Sequence, residues 1–170
     1  MLITKTLKIL VLLCFWNSTV WGACTIKEGL PDFACSPGDV FPEATPEQIC
    51  VPGYSKTVRN TPQSLKDEVY RIYDMNPKES PCPCAVDHII PLQIGGSNDI
   101  KNLFPQPSTG PLNSKRKDKL ENYLKREICR GHISMEQAQQ EIATDWVSAY
   151  FKYGLDKKTK VFDKFLPEVE

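Results

Sequence analysis

Residues 87–118 read DHIIPLQIGGSNDIKNLFPQPSTGPLNSKRKD, and the rest of the chain is laid out around them. Asp87-His88 sits in a short β-branched run with Val86, Ile89 and Ile90. Adjacent side chains on a strand point to opposite faces, so these two share one site only where the strand ends or bends. Pro91 and the Gly95-Gly96 turn supply that ending. An imidazole with its ordinary pKa of about 6.5 is largely neutral at pH 7 and accepts a proton. Asp87 offers a hard carboxylate oxygen of the kind Mg²⁺ or Mn²⁺ prefers. Taken singly, Asp and Asn are ordinary turn and cap residues, and a lone Asn102 or Asn113 says little. Their order and spacing carry the argument.

Three spaced elements, DHIIPLQIGGSND, NLFPQ and KDKLENYL, resemble the HNH (His-Me finger) endonuclease family, and within it the small exported bacterial-type members, over residues 50–150. The resemblance implies an α+β fold built on a ββα-metal core, two short strands followed by a helix whose first turn brings the last ligand. It implies phosphodiester hydrolysis, with His88 as general base, Asp87 as first metal ligand and Asn102 pinning the loop through backbone hydrogen bonds. Asn113 would be the last ligand, where many relatives carry a His. Asp118, one helical turn further on, competes for that role. The sequence thus departs from His-Asn-His and reads His-Asn-Asn. An amide carbonyl suits Mg²⁺ better than Zn²⁺, so the expected cofactor is one divalent cation, Mg²⁺ first and Mn²⁺ second. The implied products are 5′-phosphate and 3′-hydroxyl ends. Contacts to the nucleic-acid backbone imply little sequence preference, with DNA the expected substrate and RNA the alternative.

The chain has 170 residues, enough for a single modest core. Residues 1–22 read as a signal peptide: Lys5 and Lys8, an apolar run from Ile9 to Trp16 too short to span a bilayer, then small residues at Gly22 and Ala23. That predicts a secreted or periplasmic protein with no stable membrane association once the leader is removed. Ala23-Cys24 also admits a lipoprotein reading. Against it stand Trp21, where an aliphatic residue is usual, and the even set Cys24, Cys35, Cys50, Cys82, Cys84 and Cys129 that follows the leader. These six predict up to three disulfides, with Cys82 and Cys84 reaching different partners. A zinc site on Cys82-Pro83-Cys84 lacks the usual two-residue gaps.

The 21 basic and 21 acidic residues cancel, so global charge does not advertise a nucleic-acid binder. Between Lys101 and His132 the balance is locally basic, and Lys115, Arg116, Lys117 and Lys119 are the expected phosphate contacts there. The bland alternative is a solvated helix face. Arg59, in a GYSKTVR segment that also resembles the exported family members, joins them as a candidate.

Residues 23–60 form a Cys- and Pro-rich arm, read as irregular apart from a short helix near residues 45–50. Residues 61–153 carry the core with its flanking helices, and 154–170 a tail. Thr61-Pro62 marks a helix start, with Leu65, Val69, Ile72 and Tyr73 at helical spacing, where Tyr70 and Tyr73 read as packing residues. A helix over residues 114–130 carries Leu120, Tyr123, Leu124 and Ile128 on one face, and Gly131 stops it. Ser134 and Gln137 form a capping box for a last helix with Met135, Ala138, Ile142, Trp146 and Tyr150 on its apolar stripe. His132 reads as a surface or capping residue. Two rival functions keep this layout: a non-catalytic exported nucleic-acid-binding module, and a secreted disulfide-rich interaction or toxin component.

Overall fold

Cap residues fix where the helices begin. In the computed structural model, which describes residues 23–76 and 84–155, Thr45 caps α1 (Pro46–Ile49) in a full capping box with Gln48. A second turn of helix, α2 (Tyr54–Val58), follows in the arm, where the sequence signalled only turn formers. Helix α3 (Gln63–Ile72) starts one residue later than Thr61-Pro62 predicts, with Pro62 in the cap position and no side-chain cap bond. Strand β1 (Cys84–His88) pairs antiparallel with β2 (Leu103–Pro107), placing His88 opposite Leu103 and Asp87 opposite Phe104. Helix α4 (Ser114–Cys129) is capped by Asn113, and α5 (Met135–Lys152) by Ser134. The observed class is mixed α+β, in the order strand, strand, helix across the central stretch.

The capping box expected at Ser134 is only half formed. Its hydroxyl accepts from the Gln137 backbone, but the Gln137 amide donates onward to Glu141. Nor is α5 continuous: Asp145 leaves helical geometry at φ −162° and ψ 91°. Its carboxylate then accepts from the backbone N–H groups of Val147 and Ser148 and from the Ser148 hydroxyl, so it caps a second helical segment. The kink keeps Trp146 in the core, 2 % exposed, with its indole N–H donating to Gly29 O at 3.1 Å. Around it Phe104, Leu120, Leu124, Ile142 and Tyr150 are all buried to 1 % exposure or less. Truncating any one of the leucines to Ala costs on the order of 2–5 kcal/mol.

The arm lies along the loop that joins the strands. Gly38 N–H donates to Lys101 O and Phe41 N–H to Gly95 O, both at 2.9 Å, while Ser97 N–H returns to Asp39 O at 3.0 Å. Disulfides Cys24–Cys35 and Cys50–Cys129 tie the arm to itself and to the end of α4. Cys84 is also disulfide-bonded. Cys82, the proposed signal peptide and residues 156–170 of the tail lie outside the described residues. No helix among the described residues is long and apolar enough to cross a membrane.

Candidate active site

Everything at the site depends on how the chain leaves β1. His88 is the last strand residue, and the next fourteen residues fold back through two single turns of 3-10 helix, Leu92–Ile94 and Ile100–Asn102. Gly95 takes φ +89°, and a Cβ on Gly96 would lie 1.7 Å from Ile90 O, so the second glycine is required by a backbone approach that no side chain permits. At the centre of this loop is Asn102, fully buried. Its carbonyl oxygen accepts from Ile90 N–H at 2.9 Å and from Asp39 N–H at 3.3 Å, and its amide donates to Ile90 O at 2.9 Å and Ser97 O at 2.8 Å. A polar group with every partner met fixes a loop rather than destabilising it. The pinning expected of Asn102 is what the geometry provides, and the arm shares in it through Asp39.

Asp87 and His88 reach one cleft because the strand ends there. The cleft has a volume of about 270 Å³, and its wall includes Arg59, Asp87, His88, Asp118, Glu121 and Asn122. Asp118, Glu121 and Asn122 share a wall because residues three and four apart lie on one side of a helix. His88 is 4 % exposed and its imidazole is pushed down to about 4. Burial is the main cause, opposed by the Asp87 charge and the Asn98 hydrogen bond and reinforced by Arg59 and Lys117. The ring is therefore neutral at pH 7, as a base must be. Asp87 accepts from the His88 backbone N–H through Oδ1 at 2.8 Å.

Lys117 was expected to face outward and contact phosphate. It is instead fully buried, its ammonium donating to Glu121 Oε1 and His88 O at 2.6 Å each, with Asp87 Oδ2 at 3.4 Å. Its position three residues before Leu120 and four before Glu121 puts it on the helix face that backs the strands. Burial pushes its pKa down, but Asp87 and Glu121 outweigh that and raise it, so it stays charged. Glu121 is pushed up by burial in spite of Lys117. Burial, with the Asp87 charge adding, also raises Asp118.

Asn113 is not among the residues that line the cleft. Its carbonyl oxygen accepts from Arg116 N–H at 3.3 Å and its amide donates to Gly110 O at 2.6 Å, which is the work of a helix cap. Asp118, the competing candidate, is on the cleft wall, together with Asn122. Lys115 and Lys119 are exposed on α4 but do not line the cleft, and Arg116 turns back to Pro111 O. Arg59 is exposed and on the wall. His132 lies away from it beyond the end of α4, its Nδ1–H donating to Glu127 Oε2 at 2.7 Å.

Sequence reasoning missed Glu121, Asn122 and Asn98. The first two follow from Asp118 by helical spacing alone, and Asn98 was hidden in a turn-rich GGSND segment where Asn is commonplace. Among the described residues no three His, Cys, Asp or Glu side chains converge to hold a metal ion by themselves. Compared with known protein families, characterised proteins and solved structures, the chain matches none.

Proposed function

We propose that this protein is an exported, metal-dependent endonuclease of the HNH (His-Me finger) type, hydrolysing nucleic-acid phosphodiester bonds with little sequence specificity. One observation carries the reading: a buried, neutral imidazole and a carboxylate end one strand on a cleft whose opposite wall is a helix bearing Asp118 and Asn122. The ββα-metal core is the finer description of that arrangement.

The donor chemistry fits a hard divalent cation. Asp87, Asp118 and the Asn122 carbonyl are oxygen donors, and Mg²⁺ commonly takes one or two carboxylates and completes its shell with water and substrate phosphate. Charge supports the same conclusion. Asp87, Asp118 and Glu121 share the cleft wall with Arg59, and Lys117 is buried behind Asp87 and Glu121, three carboxylates against two cations, so an incoming phosphate is repelled unless a further positive charge is present. Bound there, a divalent cation supplies positive charge to the phosphate oxygens and to the departing 3′ oxygen.

The remaining steps belong to the chain. His88 takes a proton from the attacking water. Asn102 and Lys117, both buried, hold the backbone of residues 88–102 and the Asp87 carboxylate so that the imidazole stays aimed. Arg59 meets the phosphate at the rim. The disulfides Cys24–Cys35 and Cys50–Cys129 suit an oxidising compartment.

The test is digestion of plasmid DNA and of RNA by oxidised protein in Mg²⁺, in Mn²⁺ and in EDTA, beside Asp87→Ala. Cleavage that needs the cation and is lost in the variant supports the proposal, and the preferred polymer identifies the substrate. A protein that shifts DNA on a gel but cuts nothing under any cation is the binding module instead.

A further inference from the structure

Asn98 stands against the ring of His88, its Oδ1 3.3 Å from Nε2. Which atom of an amide faces a ring is settled by what else the amide touches. The same Oδ1 accepts from Asn60 N–H at 3.1 Å, and Nδ2 donates to Val58 O at 2.7 Å. Turning the amide over would set NH₂ against the Asn60 N–H and oxygen against the Val58 carbonyl, breaking both bonds and opposing like dipoles. The oxygen therefore faces the imidazole, and an oxygen that only accepts requires a proton on Nε2.

We propose that Asn98 is a positioning residue that holds His88 in the tautomer protonated on Nε2, leaving Nδ1 as the accepting nitrogen, and that the docking of residues 58–60 sets this choice. The backbone groups that orient Asn98 flank Arg59, so one segment places a phosphate-binding guanidinium and selects the basic nitrogen at once. The His88 backbone gives the ring little freedom to escape. Its N–H is held by Asp87, its carbonyl by Lys117, and the next N–H by Asn102 O at 2.8 Å. The catalytic consequence rests on the nuclease reading; the tautomer does not.

The two histidines make the experiment clean. Ring-nitrogen shifts are read by long-range ¹H–¹⁵N correlation on oxidised ¹⁵N-labelled protein in EDTA at pH 8, above the ordinary imidazole pKa of about 6.5. His132→Asn assigns the signals. The expected wild-type pattern is a pyrrole-type Nε2 and a pyridine-type Nδ1 on His88. Asn98→Ala should move both shifts toward averaged values, whereas Asn98→Asp, which keeps an acceptor, should retain the wild-type pattern. Asn98→Ser, too short to reach Nε2, serves in place of the alanine variant should that fail to fold. In cleavage assays Asn98→Ala should lower kcat roughly 10- to 100-fold with KM little changed, as loss of an orienting partner does.

A wild-type spectrum with the proton on Nδ1 overturns the proposal, as does a folded Asn98→Ala that keeps the wild-type pattern. A wild type that cuts no nucleic acid but shows the expected spectrum removes the nuclease reading and leaves the Asn98 assignment standing.

Discussion

Replacing Lys117 with Met tests whether the buried ammonium holds the site together. The side chain is 1 % exposed, and its three acceptors take all three of its protons. Glu121, 12 % exposed at the side chain, would keep only the Gln93 amide at 3.3 Å, whereas Asp87 at 30 % can turn to water. Glu121 and the His88 carbonyl should therefore dominate the loss. Breaking a buried pair by removing one partner costs about 3–5 kcal/mol, and the partial solvation of Asp87 places the expectation at about 3–4 kcal/mol. Urea denaturation at pH 7 in EDTA reads it as a fall in midpoint at constant slope.

Lys117→Met with Glu121→Leu should recover most of the loss, since apolar groups of similar volume often replace a buried pair without penalty. The pH dependence has a definite sign. Glu121 already titrates above the ordinary carboxylate range in the folded state, and removing Lys117 raises it further. A raised carboxyl destabilises the fold when ionised, and that penalty disappears as pH falls through the folded pKa. The deficit of Lys117→Met should accordingly shrink from pH 7 to pH 5. A loss below about 1 kcal/mol, the scale of an exposed pair, would refute the reasoning.

Three further predictions concern the site. His88 is pushed down to about 4 chiefly by burial, so kcat should be lost as pH falls through about 4; an acid limb near the ordinary value of about 6.5 would contradict the buried base. Asn102→Ala removes four hydrogen bonds and strands buried partners on Ile90 and Ser97, and should cost about 3–4 kcal/mol in urea denaturation, with a loss under about 1 kcal/mol counting against its role as loop pin. Asn113→Ala should cost about 1 kcal/mol of stability and leave kcat unchanged, while Asn122→Ala should raise the Mg²⁺ concentration needed for half-maximal cleavage with little change in stability; the reverse pattern would restore Asn113 as the ligand.

What the sequence made legible was local. Thr45 with Gln48, Ser134 ahead of α5 and the apolar spacing of Leu120 and Leu124 are read within one or two helical turns, and each element formed where they place it. Asp87, His88 and Asn102 were singled out through the resemblance of DHIIPLQIGGSND and NLFPQ to the HNH family, which implied a role for each. Residues with two chemistries were harder to read. Asn113, expected as the last ligand with Asp118 competing, caps its helix and is not on the cleft wall, and a cap can also be a ligand. Lys117 looked like a surface charge in a basic run, although its spacing from Leu120 and Leu124 put it on the buried face, where Glu121 could neutralise it. Asp145, given no role in the apolar stripe of the last helix, restarts that helix. The contacts between the arm and the loop, through backbone groups of Gly38, Asp39 and Phe41, have no residue-type signature at all.

The central claim is that the His88 imidazole is the base for cleavage. Single-turnover cleavage of a labelled duplex in Mg²⁺ should be compared for the wild type, His88→Ala, and His88→Ala with added imidazole. Loss of the base should slow cleavage on the order of 10²- to 10⁴-fold, and free imidazole entering the vacated space should restore part of the rate. His88→Ala protein that cleaves at the wild-type rate would contradict the account.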